Sequence, residues 1–109
     1  MKHLLRTFYD DRMSCPSGGY SPSGEKPASV YEDWVQHRLV KRVEFDPISI
    51  EELKAVHDPE YVRGVFSGEV SNGHGNTDAA VAESIRWTVG SMVAAAEDAL
   101  DSGLVCSPS

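Results

Sequence analysis

The sequence predicts an α/β domain of about three mainly parallel strands with flanking helices, occupying residues 1–109 as one unit. Three observations predict it. Segments of strand character alternate with segments of helical periodicity in the order strand, helix, strand, helices, helix, strand, the pattern of parallel strands joined by crossovers. The first strand segment is apolar almost throughout, which suits a strand covered on both faces. A long amphipathic stretch from Asp78 to about Asp101 can cover such a sheet.

Residues 3–9, His-Leu-Leu-Arg-Thr-Phe-Tyr, read as the first strand, ended by Asp10-Asp11-Arg12. Residues 13–28 are dense in Gly, Pro and Ser, which continue neither a helix nor a ladder. A loop of that length inside a small domain lines a site or is disordered. A helix follows, with Ser29 as its N-cap and Glu32 at the capping-box position. Val30, Trp34, Val35 and Leu39 recur at helical intervals, and Arg38 and Lys41 complement the dipole near its end. Arg42-Val43-Glu44-Phe45 alternates as a second strand, and Asp46-Pro47 stops it.

Ser49 and Glu52 form the next capping box, with Leu53 and Val56 as a short apolar stripe. Asp58-Pro59 opens another helix, whose apolar side is Tyr61, Val62, Val65 and Phe66 and whose end is Gly68. Residues 68–77 make a second loop, rich in Gly and Asn. In the long helix Val81, Ile85, Thr88, Val89, Met92, Val93, Ala96 and Leu100 mark one face. Gly90 and Ala94-Ala95-Ala96 permit close approach, and Gly103 is the stop. Leu104-Val105-Cys106 starts the third strand.

Composition excludes several functions. Ten Lys+Arg stand against 17 Asp+Glu, a net charge of −7. Neutralising phosphate needs a cationic surplus, so neither nucleic acid nor an anionic membrane surface is an expected partner. No apolar run approaches the roughly 18 residues of a membrane span, and Met1 to Arg6 has no signal-peptide core. Cys15 and Cys106 are too few for a disulfide framework, which makes a reducing cytoplasm the expected location; a single bridge between the two stays open. The four histidines, His3, His37, His57 and His74, show no i, i+4 pair, and Cys-x-x-Cys, Asp-x-His and His-x-His are all absent. His57, at the end of a stripe, reads as a packed or capping imidazole. Gly73-His74-Gly75 lacks the rest of a phosphate loop, and no Gly-x-Ser-x-Gly elbow exists. Glu51-Glu52 and Asp10-Asp11 are adjacent and point to different sides. No catalytic residue and no metal ligand is predicted. The two loops fall at the carboxyl ends of the strands, where open α/β sheets bind ligands.

Four stretches, in this order, carry a family resemblance. Tyr9-Asp10-Asp11-Arg12-Met13 runs into a loop ending Ser21-Pro22-Ser23-Gly24-Glu25-Lys26-Pro27. Ile50 to Val62 contains His57-Asp58 followed by Glu60-Tyr61-Val62. Asn72-Gly73-His74-Gly75-Asn76-Thr77-Asp78 precedes the long helix, with Thr88-Val89-Gly90-Ser91-Met92 inside it. Gly103-Leu104-Val105-Cys106-Ser107-Pro108 leads out of the third strand. Together they resemble the amino-terminal part of the zinc-dependent deacetylases, the superfamily of histone deacetylases, acetoin-utilisation proteins and acetylpolyamine amidohydrolases.

The resemblance implies a partial three-layer sandwich, an incomplete version of the arginase/deacetylase-like sheet. It implies, for the full-length family, one Zn²⁺ that polarises an acetyl-amide carbonyl and activates water, with a His-His pair as acid and base. Those histidines and the zinc ligands, two aspartates and a histidine, follow the strand at which this sequence stops. The expectation is therefore a fragment truncated before the catalytic residues, inactive by itself in hydrolysing acetylated amines, and without a cofactor of its own. Two substrate-rim loops remain, 13–28 with Tyr20 and 68–78 with Asn76 and Asp78; Asp78 also reads as an acid at a helix start. The third strand should present an open edge, so the expected partner is a second copy, in a homodimer or higher homo-oligomer through that strand and the long helix. The alternative is a non-catalytic, self-associating α/β binding or interaction module.

Overall fold

The computed structural model describes residues 3–16 and 22–109. Its centre is strand β1, Leu5–Phe8, which pairs in parallel on both sides. Strand β2, Val40–Val43, matches Leu5 to Val40 through Phe8 to Val43. Strand β3, Val105–Cys106, matches Arg6 to Val105 and Thr7 to Cys106. The sheet order is β2-β1-β3. Among the described residues, four α-helices complete the α/β fold: α1 Lys26–Gln36, α2 Ile50–Val56, α3 Pro59–Ser67 and α4 Ala79–Ser102. Among the described residues, no helix is long and apolar enough to cross a membrane.

Strands β1 and β3 are shorter than expected, and β2 has the expected length but is shifted. Its pairing begins before the Arg42–Phe45 segment because the chain turns tightly at Arg38, whose φ of 56° is left-handed. The Leu39 carbonyl then accepts from the Leu5 amide at 3.0 Å, which sets the register. Phe45 leaves the sheet and turns its ring into the core, 5.8 Å from Trp87 in an edge-on contact and 6.3 Å from Phe8.

Helix α1 starts at Lys26, before the expected cap Ser29. Pro27 sits in its first turn, where a missing N–H costs nothing. Glu25 makes no side-chain cap bond; instead the Ala28 amide, one of the unpaired donors of that turn, donates to Ser14 Oγ at 2.8 Å. The helix ends at Gln36, so Arg38 and Lys41 lie beyond it.

The other helix ends follow local chemistry. Ser49 and Glu52 close a reciprocal box, Glu52 N donating to Ser49 Oγ at 3.0 Å and Ser49 N to Glu52 Oε1 at 3.2 Å. Asp58 accepts from the Glu60 amide at 2.9 Å ahead of Pro59, and Gly68 ends α3 at a φ of 83°. Asp78 accepts from the Ala80 amide at 2.8 Å, and Gly103 closes α4. His57 occupies the C-cap position of α2 and is exposed.

The buried face of α4 differs from the expected apolar one. It consists of Val81, Ala82, Ser84, Trp87, Gly90, Ser91 and Ala95. Met92 is 54% exposed and Leu100 88%. Small residues at Gly90, Ser91 and Ala95 let this helix approach closely, and Trp87 fills the space beside them. A Cβ on Gly90 would lie 2.7 Å from the Asp46 carbonyl, so the connection after β2 rests directly on the helix backbone. Arg86 secures that contact: its carbonyl accepts from the Ile48 amide at 3.0 Å and its Nε donates to Ile48 O at 2.8 Å. The fully buried Ser91 hydroxyl donates to the Phe8 carbonyl at the end of β1.

The core sits where β1 runs out of the sheet. Tyr9, Met13 and Trp87 are buried together, with Tyr31 stacked on Tyr9 at 4.0 Å and the Arg12 guanidinium 3.7 Å above Trp87. At the other end of the sheet Arg6 makes a two-pronged pair with Asp98 of α4, at 2.9 and 2.8 Å. Cys15 and Cys106 are free thiols, so the bridge left open by the sequence is not formed.

Candidate functional site

Parallel strands place their carboxyl ends on one side of the sheet, and the chain that leaves them builds the ligand-facing surface of such folds. Here β1 leads into Tyr9-Asp10-Asp11-Arg12, where a short 3-10 turn covers Asp11–Met13. Asp10 is tied into this turn. It accepts from the Arg12 amide at 2.9 Å and from the Arg12 guanidinium at 2.8 and 3.0 Å, with Arg42 at 3.6 Å. The Arg12 hydrogen bonds, foremost, hold its carboxyl below the usual range. Burial, foremost, pushes the Tyr9 phenol up to about 12, so it stays protonated at neutral pH. Asp10 thus serves to build the turn, and Tyr9 serves the core.

The second loop is built around Asn72, a buried amide. Its Nδ2 donates to Asn76 Oδ1 at 2.7 Å and its Oδ1 accepts from the His74 amide at 2.9 Å. Asn76 Oδ1 also accepts from the Asp78 amide at 2.9 Å, and the Asn72 amide donates to the Asn76 carbonyl at 2.9 Å. Gly73 and Gly75, with φ of 86° and 81°, let the backbone reverse on either side of His74. The loop is thus knitted from inside and presents His74.

His74 borders a depression of about 360 Å³, shared with Ser23, Pro27, Thr88, Met92 and Ser109. The two loops singled out in the sequence meet there across α4, beside the chain that leaves β3. That exit is itself anchored. Ser107 Oγ lies 2.6 Å from the buried Ser91 Oγ and 3.1 Å from Ser109 Oγ.

Of the three expected rim residues, Tyr20 lies outside the described residues. Asn76 spends its side chain inside the loop, and Asp78 caps α4. Neither borders the depression. His74 and Ser109 do, and their signal in the sequence was weak: a histidine between two glycines, and a hydroxyl after a strand.

The zinc implied by the resemblance needs three or more nitrogen, sulfur or carboxylate donors around one point. Among the described residues, no three His, Cys, Asp or Glu side chains come together in that way. His74 is accompanied by hydroxyls and aliphatic groups, a donor set that does not fit zinc. Compared with family models and with curated proteins, the chain matches none.

Proposed function

We propose that this chain is the amino-terminal portion of a zinc-deacetylase-like α/β domain, supplying its first strands and two loops of its substrate rim. In this reading, hydrolysis of an acetylated amine requires a His-His pair and metal ligands that these 109 residues do not contain. One observation supports it: Ser23 and Pro27 from the first loop, His74 from the loop between α3 and α4, and Ser109 beyond β3 line one depression. The test is complementation. Mixing the chain with a separate polypeptide that carries the remaining strands and ligands of a family deacetylase should give a stable complex and zinc-dependent release of acetate, with neither part active alone. Failure of the two to associate, or turnover by the 109-residue chain alone, overturns the proposal.

A second reading rests on the surface. The outer edge of β3 has no strand partner among the described residues, and Leu104 beside it is 70% exposed, as is much of Met92 and Leu100. An open edge next to apolar side chains favours self-association through β3 and α4. Light scattering at micromolar concentration then reads a dimer or larger species, and Leu104→Glu returns it to the monomer. A monomeric mass for the unaltered chain removes this reading.

A further inference from the structure

A cleft of about 520 Å³ opens between α4 and the connection that follows β2. Its floor is apolar: Phe45, Pro47, Ile48, Val93 and Ala94. Its walls are acidic, with Glu44 and Asp46 on one side and Glu97 and Asp101 on the other, all four exposed. Among the described residues, none of these four carboxylates forms an ion pair. The one cation in the lining, Arg6, is already bound to Asp98.

The placement of Glu97 and Asp101 is unfavourable for the helix. Both lie in the last turns of α4, where the exposed carbonyls carry partial negative charge and cations are preferred. The last turn of α4 holds no basic residue. The chain therefore keeps carboxylates around an apolar floor at some cost to its own stability. The volume lies within the range of roughly 300–1,000 Å³ typical of ligand clefts.

We propose that this cleft docks a cationic amphipathic segment of another protein, apolar side chains on the floor and Lys or Arg against the walls. Charge complementarity selects that occupant. A second copy of this chain, at a net charge of −7, meets the cleft with like charge. The proposal does not depend on the reading of the strand-end depression.

The test titrates the 109-residue chain with a short dye-labelled peptide alternating lysine and leucine. Saturable one-to-one binding is expected, weakening with added salt. Glu97→Lys and Asp101→Lys should each weaken it about tenfold, while leaving the melting temperature unchanged or higher, because each places a cation at a helix C-terminus. Glu32→Lys, on α1, changes the net charge identically, from −7 to −5, and should leave binding within about twofold. Val93→Ser should weaken binding without any change in charge. Absent binding, equal binding of a glutamate-leucine peptide, or equal weakening by Glu32→Lys overturns the proposal. So does self-association of the free chain that Glu97→Lys abolishes, since the occupant is then a second copy.

Discussion

Gly90 is where α4 and the connection after β2 touch. A methyl group there would meet the Asp46 carbonyl at 2.7 Å, the Ile48 nitrogen at 2.9 Å and the Pro47 Cα at 2.9 Å, all backbone atoms that cannot turn aside. Gly90→Ala is expected to destabilise the fold by about 1–3 kcal/mol, against the small gain alanine brings to a helix interior. Thermal denaturation followed by circular dichroism reads this as a lower midpoint. Asp10 gives a pH signature. Its folded pKa lies below the unfolded value because Arg12, and then Arg42, hold the carboxylate charged. Its stabilising contribution is therefore complete above about pH 4 and is lost as the pH falls through the lower folded value. Asp98, lowered by Arg6, acts in the same direction. Urea midpoints measured from pH 6 down to about pH 3 should fall less steeply for Asp10→Asn than for the unaltered chain. Residues of these two kinds differ in legibility. Ser49 with Glu52, and Asp58 with Pro59, act on neighbours within four positions, and the sequence displays their roles. Gly90 and Ser91 act on Asp46 and Phe8, far along the chain: the sequence shows that Gly90 permits a close approach, but only the folded contact reveals which segment comes close and what Ser91 binds.

Among the elements, the identity and order of strands and helices were readable because alternation, caps and glycine stops are local signals. What was not readable was rotation and register. The apolar stripe on α4 is real as a pattern, but Gly90, Ser91 and Ala95 let the backbone approach the sheet side, and Trp87 fills the remaining space. Close packing of small groups outweighed the periodicity of large ones. Likewise β2 takes its register from the Arg38 turn and the Leu5–Leu39 hydrogen bond, which no alternation pattern encodes. The 72–78 loop shows how much order one amide imposes. Asn72→Ala removes the bonds to Asn76 and His74 at a buried position, costing about 1–3 kcal/mol locally. Hydrogen exchange at His74 and Asp78 should accelerate well before exchange in α4 does, and an unchanged pattern would mean the glycine turns alone hold the loop. The candidate site was legible as a pair of loops but not as a set of residues, because Asn76 and Asp78 were diverted to loop and helix construction.

For the molecule as a whole, 17 carboxylates against 10 Lys and Arg leave self-repulsion in the compact state. The exposed ion pairs, such as Arg63 with Glu60 at 3.0 Å, contribute little and are themselves screened. Raising the ionic strength from about 10 mM to about 150 mM shortens the Debye length from about 30 to about 8 Å. The net effect should be a higher melting temperature; a lower one would show that the ion pairs outweigh the repulsion. The arrangement of the sheet also orders how the protein is made. β1 lies between partners that arrive at opposite times: Val40–Val43 soon after it, Val105–Cys106 nearly a chain length later. A nascent polypeptide can close the first pairing on the ribosome, but Arg6 must wait for Asp98, and Thr7 for Cys106. Until synthesis passes those positions, one flank of the central strand is a vacant hydrogen-bonding track, and the growing chain is a natural client for chaperones during that interval.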